Sequence, residues 1–185
     1  MSSVTTASGV QLSLYAERTT SDGICWFLVF NYQRSSAITH TLAIPQSPAS
    51  QSHYHLSDAG VPLSDITSTR WHCTTSNHAR VIHLKNSQLG PREIARSGNG
   101  GSNTVAAWTA HSVLYADHSG YLPAQATHAY THATEADWSH AFYKSSTYHW
   151  NHYDSPDNHY ECDDTIRSTS SHTTLHQIWV ALALQ

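Results

Sequence analysis

The sequence predicts a mostly β protein: an antiparallel β-sandwich of jelly-roll type with one or two short helices, folded as a single domain over residues 1–185. Short apolar or alternating segments recur along the chain, and clusters of Gly, Pro and Ser separate them, as in sandwich folds. No repeat, linker or charge run divides the chain, and its length suits one domain with its own core.

The first predicted elements form a hairpin. The segment 10–16 (VQLSLYA) alternates apolar and polar residues, as a half-buried strand does. The segment 25–32 (CWFLVFNY) is almost continuously apolar and aromatic, which indicates a core strand, and Ser21-Asp22-Gly23 provides a turn between the two. A further strand is predicted over 37–44, ending at Pro45, and a loop rich in Ser, Gln and His follows.

The second half of the chain predicts more strands and the main helix. Alternation over 79–85 predicts a strand, 91–97 fits one helical turn or a short strand, and 104–115 reads as a strand or a bent pair of strands. The Ala-rich segment 124–137 follows a proline and is the strongest helix prediction. The apolar segment 176–184 predicts a final buried strand.

The charge content is unusually low. Only 12% of the residues are Asp, Glu, Lys or Arg, whereas ordinary globular proteins have about 25%. Ser and Thr together supply 46 of the 185 residues, and there are 16 histidines. The surface must therefore consist largely of neutral polar groups. Ser and Thr lose little side-chain entropy in a contact, whereas immobilising a Lys or Glu costs up to about 2 kcal/mol. This composition favours self-association. The alternative explanation is that the low charge reflects drift in the base composition of the genome and has no function.

Several classes of protein are disfavoured. The N-terminus lacks a basic region followed by an apolar run, so no signal peptide is expected, and no apolar stretch approaches the length of a membrane span. A net charge of −4 without a basic cluster argues against direct nucleic-acid binding. Three widely spaced cysteines (Cys25, Cys73 and Cys162) argue against a disulfide framework and favour a reducing cytoplasm.

The many histidines raise the question of a metal site. Close pairs arise by chance when histidine is this common, and the ordinary role is a hydrogen-bonded side chain, so no metal ligand is assigned. The groups considered are His53 with His55 on a strand, His128 with His132 at helical spacing, His149 and His152 near Asp154 and Asp157, His72 with Cys73, and the acidic group Glu161, Asp163 and Asp164.

No catalytic signature is present. The chain has no GxSxG nucleophile elbow, no HExxH motif and no cysteine in a known catalytic setting. The segment Gly98-Asn99-Gly100-Gly101 is not followed by Lys-Ser/Thr, so it predicts a mobile turn and not a phosphate loop. The sequence therefore predicts a protein that is not an enzyme, with no catalytic residue and no cofactor.

The tyrosines and histidines suggest a response to pH. Histidine and tyrosine have ordinary pKa values of about 6.5 and about 10, so most of these side chains are neutral near pH 7. Above about pH 10, the 10 tyrosines would add negative charge to an already acidic chain. Assemblies of the protein are therefore expected to be stable near pH 7 and to dissolve in strong alkali.

Four short motifs together span about two thirds of the chain. They are Leu14-Tyr15-Ala16 leading to Ser21-Asp22-Gly23, Ser76-Asn77 followed by Arg80-Val81-Ile82, Arg92-Glu93-Ile94 running into Ser97-Gly98-Asn99, and Asn151-His152-Tyr153 with Ser155-Pro156 ahead of a C-terminal apolar strand ending in Gln185. In this order the motifs resemble the cypovirus polyhedrins, a family of proteins that crystallise around virus particles inside infected insect cells.

The resemblance implies a structural protein that forms trimers and a crystal lattice, encases virions in cytoplasmic occlusion bodies and dissolves in an alkaline gut. Its partners would be copies of itself and virus particles, with no membrane. Family members also bind nucleotides, but no residue of this chain is assigned to that role. The chain is short for the family, and the long N-terminal helical arm that grips neighbouring molecules is not evident before the first strand.

Two other functions stay open. One is a binding module, either a carbohydrate-binding β-sandwich lectin or a small viral coat protein, which exposed Trp, Asn and Asp around a pocket would favour. The other is a His-dependent metalloprotein, which stoichiometric metal in the purified protein would favour.

Overall fold

The structure, a computed structural model, consists mainly of β-strands in antiparallel sheets, which confirms the predicted mostly-β class. The residues it describes are 2–18, 23–34, 54–55, 61–75, 82–87, 89, 92, 95, 103–106, 109–110, 125–130, 140–144, 148–152, 160–163 and 174–185.

Fourteen strands are found in the described part of the chain, together with a 3-10 helix at Leu63–Asp65 and helical backbone at Leu89, Arg92 and Ala95. The strands are β1 Ser2–Thr5, β2 Gln11–Leu14, β3 Ala16–Arg18, β4 Cys25–Arg34, β5 Tyr54–His55, β6 Ile66–Thr75, β7 Ile82–Asn86, β8 Asn103–Ala106, β9 Thr109–Ala110, β10 Gln125–Tyr130, β11 His140–Lys144, β12 Tyr148–His152, β13 Tyr160–Asp163 and β14 Thr174–Leu182.

The strands pair into three sheets. The largest has the order β3-β4-β14-β6-β7-β9, and β5 pairs with β4 as a seventh strand. A second sheet has the order β13-β12-β11-β10-β8, and β1 pairs with β2 as a two-stranded hairpin. Strand β13, at the edge of the second sheet, lies next to β6 of the first. The last strand of the chain therefore sits in the middle of the largest sheet, between β4 and β6.

The centre of the largest sheet is buried on both faces. Side chains alternate across a strand, so neighbouring residues of β4 and of β14 enter two separate apolar clusters, whereas the apolar residues of β6 all enter the larger one. The larger cluster also receives Leu12 and Leu14 from the hairpin. Burial on both sides explains why β4 and β14 read as nearly continuous apolar runs. The larger cluster includes Phe27, Val29, Trp71, Cys73, Ile178 and Val180, and the smaller one consists of Trp26, Leu28, Trp179 and Ala181.

The predicted strands of the first and last segments are confirmed. Strand β2 has the expected alternation, with Leu12 and Leu14 buried and Gln11 and Ser13 exposed. The predicted hairpin between 10–16 and 25–32 is found only in part: β3, which begins at Ala16, pairs antiparallel with β4, whereas β2 pairs with β1. Gly23 has the positive φ (70°) of a turn residue. The final strand is confirmed as β14.

Several interior predictions need qualification. The described residues of the predicted strands at 79–85 and 104–115 are 82–85, in β7, and 104–106 and 109–110, in β8 and β9. Helical backbone at Arg92 and Ala95 favours the helical reading of 91–97. The predicted strand at 37–44 lies outside the described residues. Strand β6, which occupies the centre of the sheet, was not predicted at all.

The predicted helix over 124–137 is wrong at 125–130, which form strand β10. Strand β10 pairs antiparallel with β8 on one side and β11 on the other. The Ala residues raised the local helix propensity, but propensity amounts to less than about 1 kcal/mol per residue, and pairing along two strand edges overrides it.

The cysteines also depart from expectation. Cys73 is fully buried and disulfide-bonded, whereas Cys25 is free and partly exposed. The sequence argued against disulfide bonding because its three cysteines are widely spaced. Spacing along a chain, however, does not reveal which cysteines meet in space. That argument is corrected at Cys73. Among the residues that the structure describes, no helix has the length and hydrophobicity of a membrane-spanning segment.

Candidate functional site

Arg70 is the focus of the charged and aromatic groups within the described sheet. It lies in the middle of β6, and its side chain is only 2% exposed. Its Nη2 donates a hydrogen bond to Oε2 of Glu17 at 2.6 Å, which forms an ion pair with a carboxylate that is itself 46% exposed. One end of the pair is therefore in the core and the other reaches the surface.

The strand register explains how the two charges meet. Glu17 of the edge strand β3 lies opposite Trp26 of β4, and Arg70 lies opposite Trp179 of β14. The side chain of Arg70 therefore extends over two intervening strands to reach the edge of the sheet. A long side chain with a planar charged end is required for this span, and Arg has both.

Two tryptophans surround the guanidinium. Its central carbon lies 4.4 Å from the ring centroid of Trp179 and 5.4 Å from that of Trp26. Both rings are buried in the smaller apolar cluster. A cation over an indole face is stabilised by about 2 kcal/mol when the pair is removed from water. The two rings and the carboxylate together offset the cost of burying a charge.

A row of neutral polar side chains lies beside Arg70 and its two tryptophans. His72 lies two residues further along β6, on the same face, and opposite Gln177 of β14. Gln177 donates from Nε2 to Oδ1 of Asn31 at 2.9 Å, and Trp179 donates from Nε1 to Oε1 of Gln177 at 3.3 Å. This row fixes side-chain orientations next to the cation.

His72 is held in its neutral form. Burial, followed by the charges of Arg70 and His176, lowers the pKa of His72 to about 3, and a hydrogen bond with Gln177 opposes this shift. A side chain with so low a pKa does not exchange protons near neutrality, so it does not serve as a general base there. The cluster of Glu17, Arg70, His72 and the two tryptophans therefore supports packing and orientation.

A second polar centre joins the ends of the chain. Asp65, buried at the end of the 3-10 helix, accepts hydrogen bonds from the Ser8 backbone N–H at 3.2 Å and the Ser8 hydroxyl at 2.7 Å. Side-chain hydrogen bonds from Thr6 and Ser8 are the main reason that the pKa of Asp65 lies below its usual value. A carboxylate that accepts several hydrogen bonds is stabilised in its charged form.

The C-terminal residues complete this junction. The backbone N–H of Ala7 donates to the carbonyl of Ala183 at 2.8 Å, and that of Gln185 donates to Thr5 at 3.2 Å. The carbonyl of Asp65 in turn accepts from the N–H of Ala183 at 2.8 Å. The β1–β2 hairpin is therefore fixed to both the 3-10 helix and the residues that follow β14.

The described surface has few charges. Seventeen described residues are exposed, and only Glu17 and Arg18 among them are charged, both on the edge strand β3. The other fifteen are Ser2, Ser3, Ala7, Ser8, Gly9, Gln11, Ser13, Tyr15, Gly23, Ser64, Thr67, Ser87, Leu89, Leu184 and Gln185. This agrees with a surface made mainly of small and neutral polar groups.

The histidine and acidic pairs singled out in the sequence are spread over several strands. No group of three or more His, Cys, Asp or Glu side chains suited to a metal ion occurs among the described residues. His53, His132, Asp154, Asp157 and Asp164 lie outside them. The others lie in β5 (His55), β6 (His72 and Cys73), β10 (His128), β12 (His149 and His152) and β13 (Glu161 and Asp163).

Two of these pairs are changed by the fold. His128 lies in a strand, where a residue four positions further along would be about 13 Å away, too far to share a metal ion, so the helical spacing that suggested this pair does not apply. His72 and Cys73 are neighbours in β6 and point to opposite faces, and Cys73 is committed to a disulfide bond. The mixed His–Cys pair is therefore not a metal site.

The Arg70 and Asp65 centres were missed by sequence reasoning. Glu17 and Arg70 are 53 residues apart, and Ser8 and Asp65 are 57 apart, so no local motif joins them. The one available signal was Arg70 itself, a charged residue inside the segment TRWHC, which also contains Trp71 and Cys73. An arginine at such a position needs a partner for its charge when the strand is buried.

Comparisons with known proteins found no family model, curated protein or solved structure that matches this chain.

Proposed function

We propose that this protein is a structural protein that assembles with copies of itself into an intracellular crystalline matrix, comparable to the cypovirus polyhedrins that it resembles. The matrix would form in the host cytoplasm as viral occlusion bodies, encase and protect virus particles, and dissolve in alkali. The protein acts through its surface and not through an active site.

The observation that carries this proposal is the near absence of charge on the described surface. Two of the seventeen exposed residues are charged, and six are serines. Soluble monomers normally keep about 25–35% charged residues on their surfaces, partly because charge prevents association. Small neutral side chains lose little entropy when a contact immobilises them, so many weak contacts can add up to a lattice.

The buried polar centres support the same function. A lattice requires a molecule that keeps one shape, because each contact depends on the position of the next. The Arg70 cluster ties the edge strand β3 to the centre of the sheet, and the Asp65 junction ties the hairpin to the C-terminal residues. Both constraints act within one molecule, so they stiffen it and leave the exterior available for contacts.

The direct test is expression in insect cells followed by microscopy and diffraction of the cells. We expect cytoplasmic bodies that diffract and that dissolve between about pH 8 and 12, the range that brackets the tyrosine pKa. A protein that remains freely soluble and monomeric at high concentration would refute the proposal. Bodies that form but do not respond to alkali would refute the release mechanism alone.

The disulfide of Cys73 provides a check on the compartment. A cytoplasmic matrix forms under reducing conditions, in which disulfides are rare. Mass spectrometry of freshly isolated bodies, with free thiols blocked at lysis, measures the oxidation state of Cys73 directly. A fully oxidised Cys73 in bodies from intact cells would place assembly in an oxidising compartment and would count against the cytoplasm.

A further inference from the structure

We infer that Cys162 is the disulfide partner of Cys73, and that their bond is a covalent link between the largest sheet and the second sheet. Cys73 is disulfide-bonded, and the chain has three cysteines, of which Cys25 is free. Cys162 is the remaining cysteine of the sequence, and it lies in β13 at the edge of the second sheet. This inference goes beyond the proposed function and does not depend on self-assembly.

The strand register independently separates Cys25 from Cys73. Along β14, Ala181 lies opposite Trp26 of β4, and His176 lies opposite Cys73 of β6. Cys25 is one position further from Cys73 than Trp26 is, so the two cysteines are about 20 Å apart along the strand direction, because a strand rises about 3.3 Å per residue. The Cα atoms of a disulfide lie within about 7 Å of each other, so Cys25 is too far away to be the partner.

Burial excludes a partner on another molecule. Cys73 is fully buried in the larger apolar cluster, together with Trp71 and Ile178. A thiol on the surface of a second copy cannot reach this sulfur unless the cluster opens. The bond therefore forms within one chain.

The position of β13 is suited to this bond. At Cys73, both edges of β6 are occupied, by His176 of β14 on one side and by Ile82 of β7 on the other. Strand β13 nevertheless lies next to β6, so it approaches β6 over a face of the largest sheet, where the side chains project. A bond between cysteines of two neighbouring sheets is a recurrent feature of β-sandwich domains.

The bond would hold the second sheet as a whole. The loop that it closes runs from Cys73 to Cys162 and contains β8, β10, β11 and β12, which are the other four strands of that sheet. A cross-link over a long loop acts mainly by restricting the opened chain. Loss of the bond should therefore increase the opening of the second sheet.

Peptide mapping tests the pairing directly. Trypsin cleaves after Lys and Arg, so the cysteines fall in three separate peptides, 19–34, 71–80 and 145–167. Purified protein is first equilibrated with glutathione disulfide, which accepts the two electrons and is released as two glutathione thiols for each protein disulfide formed. It is then denatured with N-ethylmaleimide and digested. We expect 71–80 linked to 145–167, with 19–34 alkylated; a link between 19–34 and 71–80, or three alkylated peptides, would overturn the inference.

A thiol count in denaturant distinguishes the variants. Wild type should show one free thiol per chain, C162S two and C25S none, because C25S keeps the bond whereas C162S loses it. A single free thiol in C162S would mean that Cys73 has bonded to Cys25 and would contradict the pairing.

Native proteolysis tests the role of the bond, with C25S as the matched control. Cleavage after Lys144, the last residue of β11, should be at least about tenfold faster in C162S than in C25S, since proteolysis follows the population of the opened form. Addition of a phosphine reductant to C25S provides the same comparison without a substitution at Cys162. Equal cleavage rates in both comparisons would show that the bond does not hold the second sheet.

Discussion

Replacing His72 with glutamine should make the protein less sensitive to mild acid. In the folded protein the pKa of His72 is lowered to about 3, whereas an unfolded histidine has a pKa of about 6.5. As the pH falls below about 6.5, the unfolded state takes up a proton at this position that the folded state does not, so the free energy of unfolding decreases. The loss continues until about pH 3, where the folded state also protonates.

The two pKa values set the size of the effect. Full protonation of the unfolded state alone corresponds to an upper limit of about 5 kcal/mol, at 1.36 kcal/mol per pKa unit. Between pH 8 and pH 5, the same relation gives a loss of about 2 kcal/mol from His72. The side chain introduced by H72Q cannot titrate, and it retains an amide that can hydrogen-bond with Gln177.

Urea unfolding of wild type and H72Q at pH 8 and pH 5 measures this contribution. Each protein is compared with itself across pH, so any direct cost of the substitution cancels, and the other fifteen histidines contribute to both proteins. Wild type should lose about 2 kcal/mol more than H72Q between the two pH values. Equal losses in the two proteins would refute the conclusion that the folded protein holds His72 in its neutral form.

Three further predictions concern the other buried groups. E17Q should lower the free energy of unfolding by about 1–2 kcal/mol, since it weakens the hydrogen bond to a buried cation. The free energy of unfolding of R70M should stay within about 1 kcal/mol of the wild-type value. Urea titration measures both variants, and a larger loss in R70M than in E17Q would contradict this account. Because the pKa of Asp65 is lowered in the folded protein, its ionised carboxylate stabilises the fold at pH values above the unfolded pKa of about 3.9. This stabilisation is lost as the pH falls through the folded pKa, so the melting temperature of D65N should change less than that of wild type between pH 5 and 2. Reduction of the Cys73 disulfide should lower the free energy of unfolding by about 2–4 kcal/mol, measured by denaturant unfolding with and without a phosphine reductant. An unchanged midpoint denaturant concentration would show that the bond does not constrain the chain.

The strands with the clearest patterns could be predicted from the sequence. Alternation in β2 reports one buried face, and the unbroken apolar runs in β4 and β14 report burial on both faces. Strand β6 escaped prediction because its segment, ITSTRWHCTT, contains polar and charged residues that local rules assign to the surface. Thr69 and Arg70 are buried because the sheet provides partners: Arg70 reaches Glu17, and Thr69 donates to the carbonyl of Asn86.

The sequence by itself determined the mostly-β class, the uncharged character of the surface and the position of the last strand, because each depends on composition or on a pattern within a few residues. Only the tertiary structure decided that 125–130 is a strand, that Cys73 forms a disulfide bond, and that Asp65 holds the hairpin turn. Each of these depends on which distant segments become neighbours. That choice follows from the pairing of whole strands, and the free energy of such pairing exceeds the local preferences that a sequence displays.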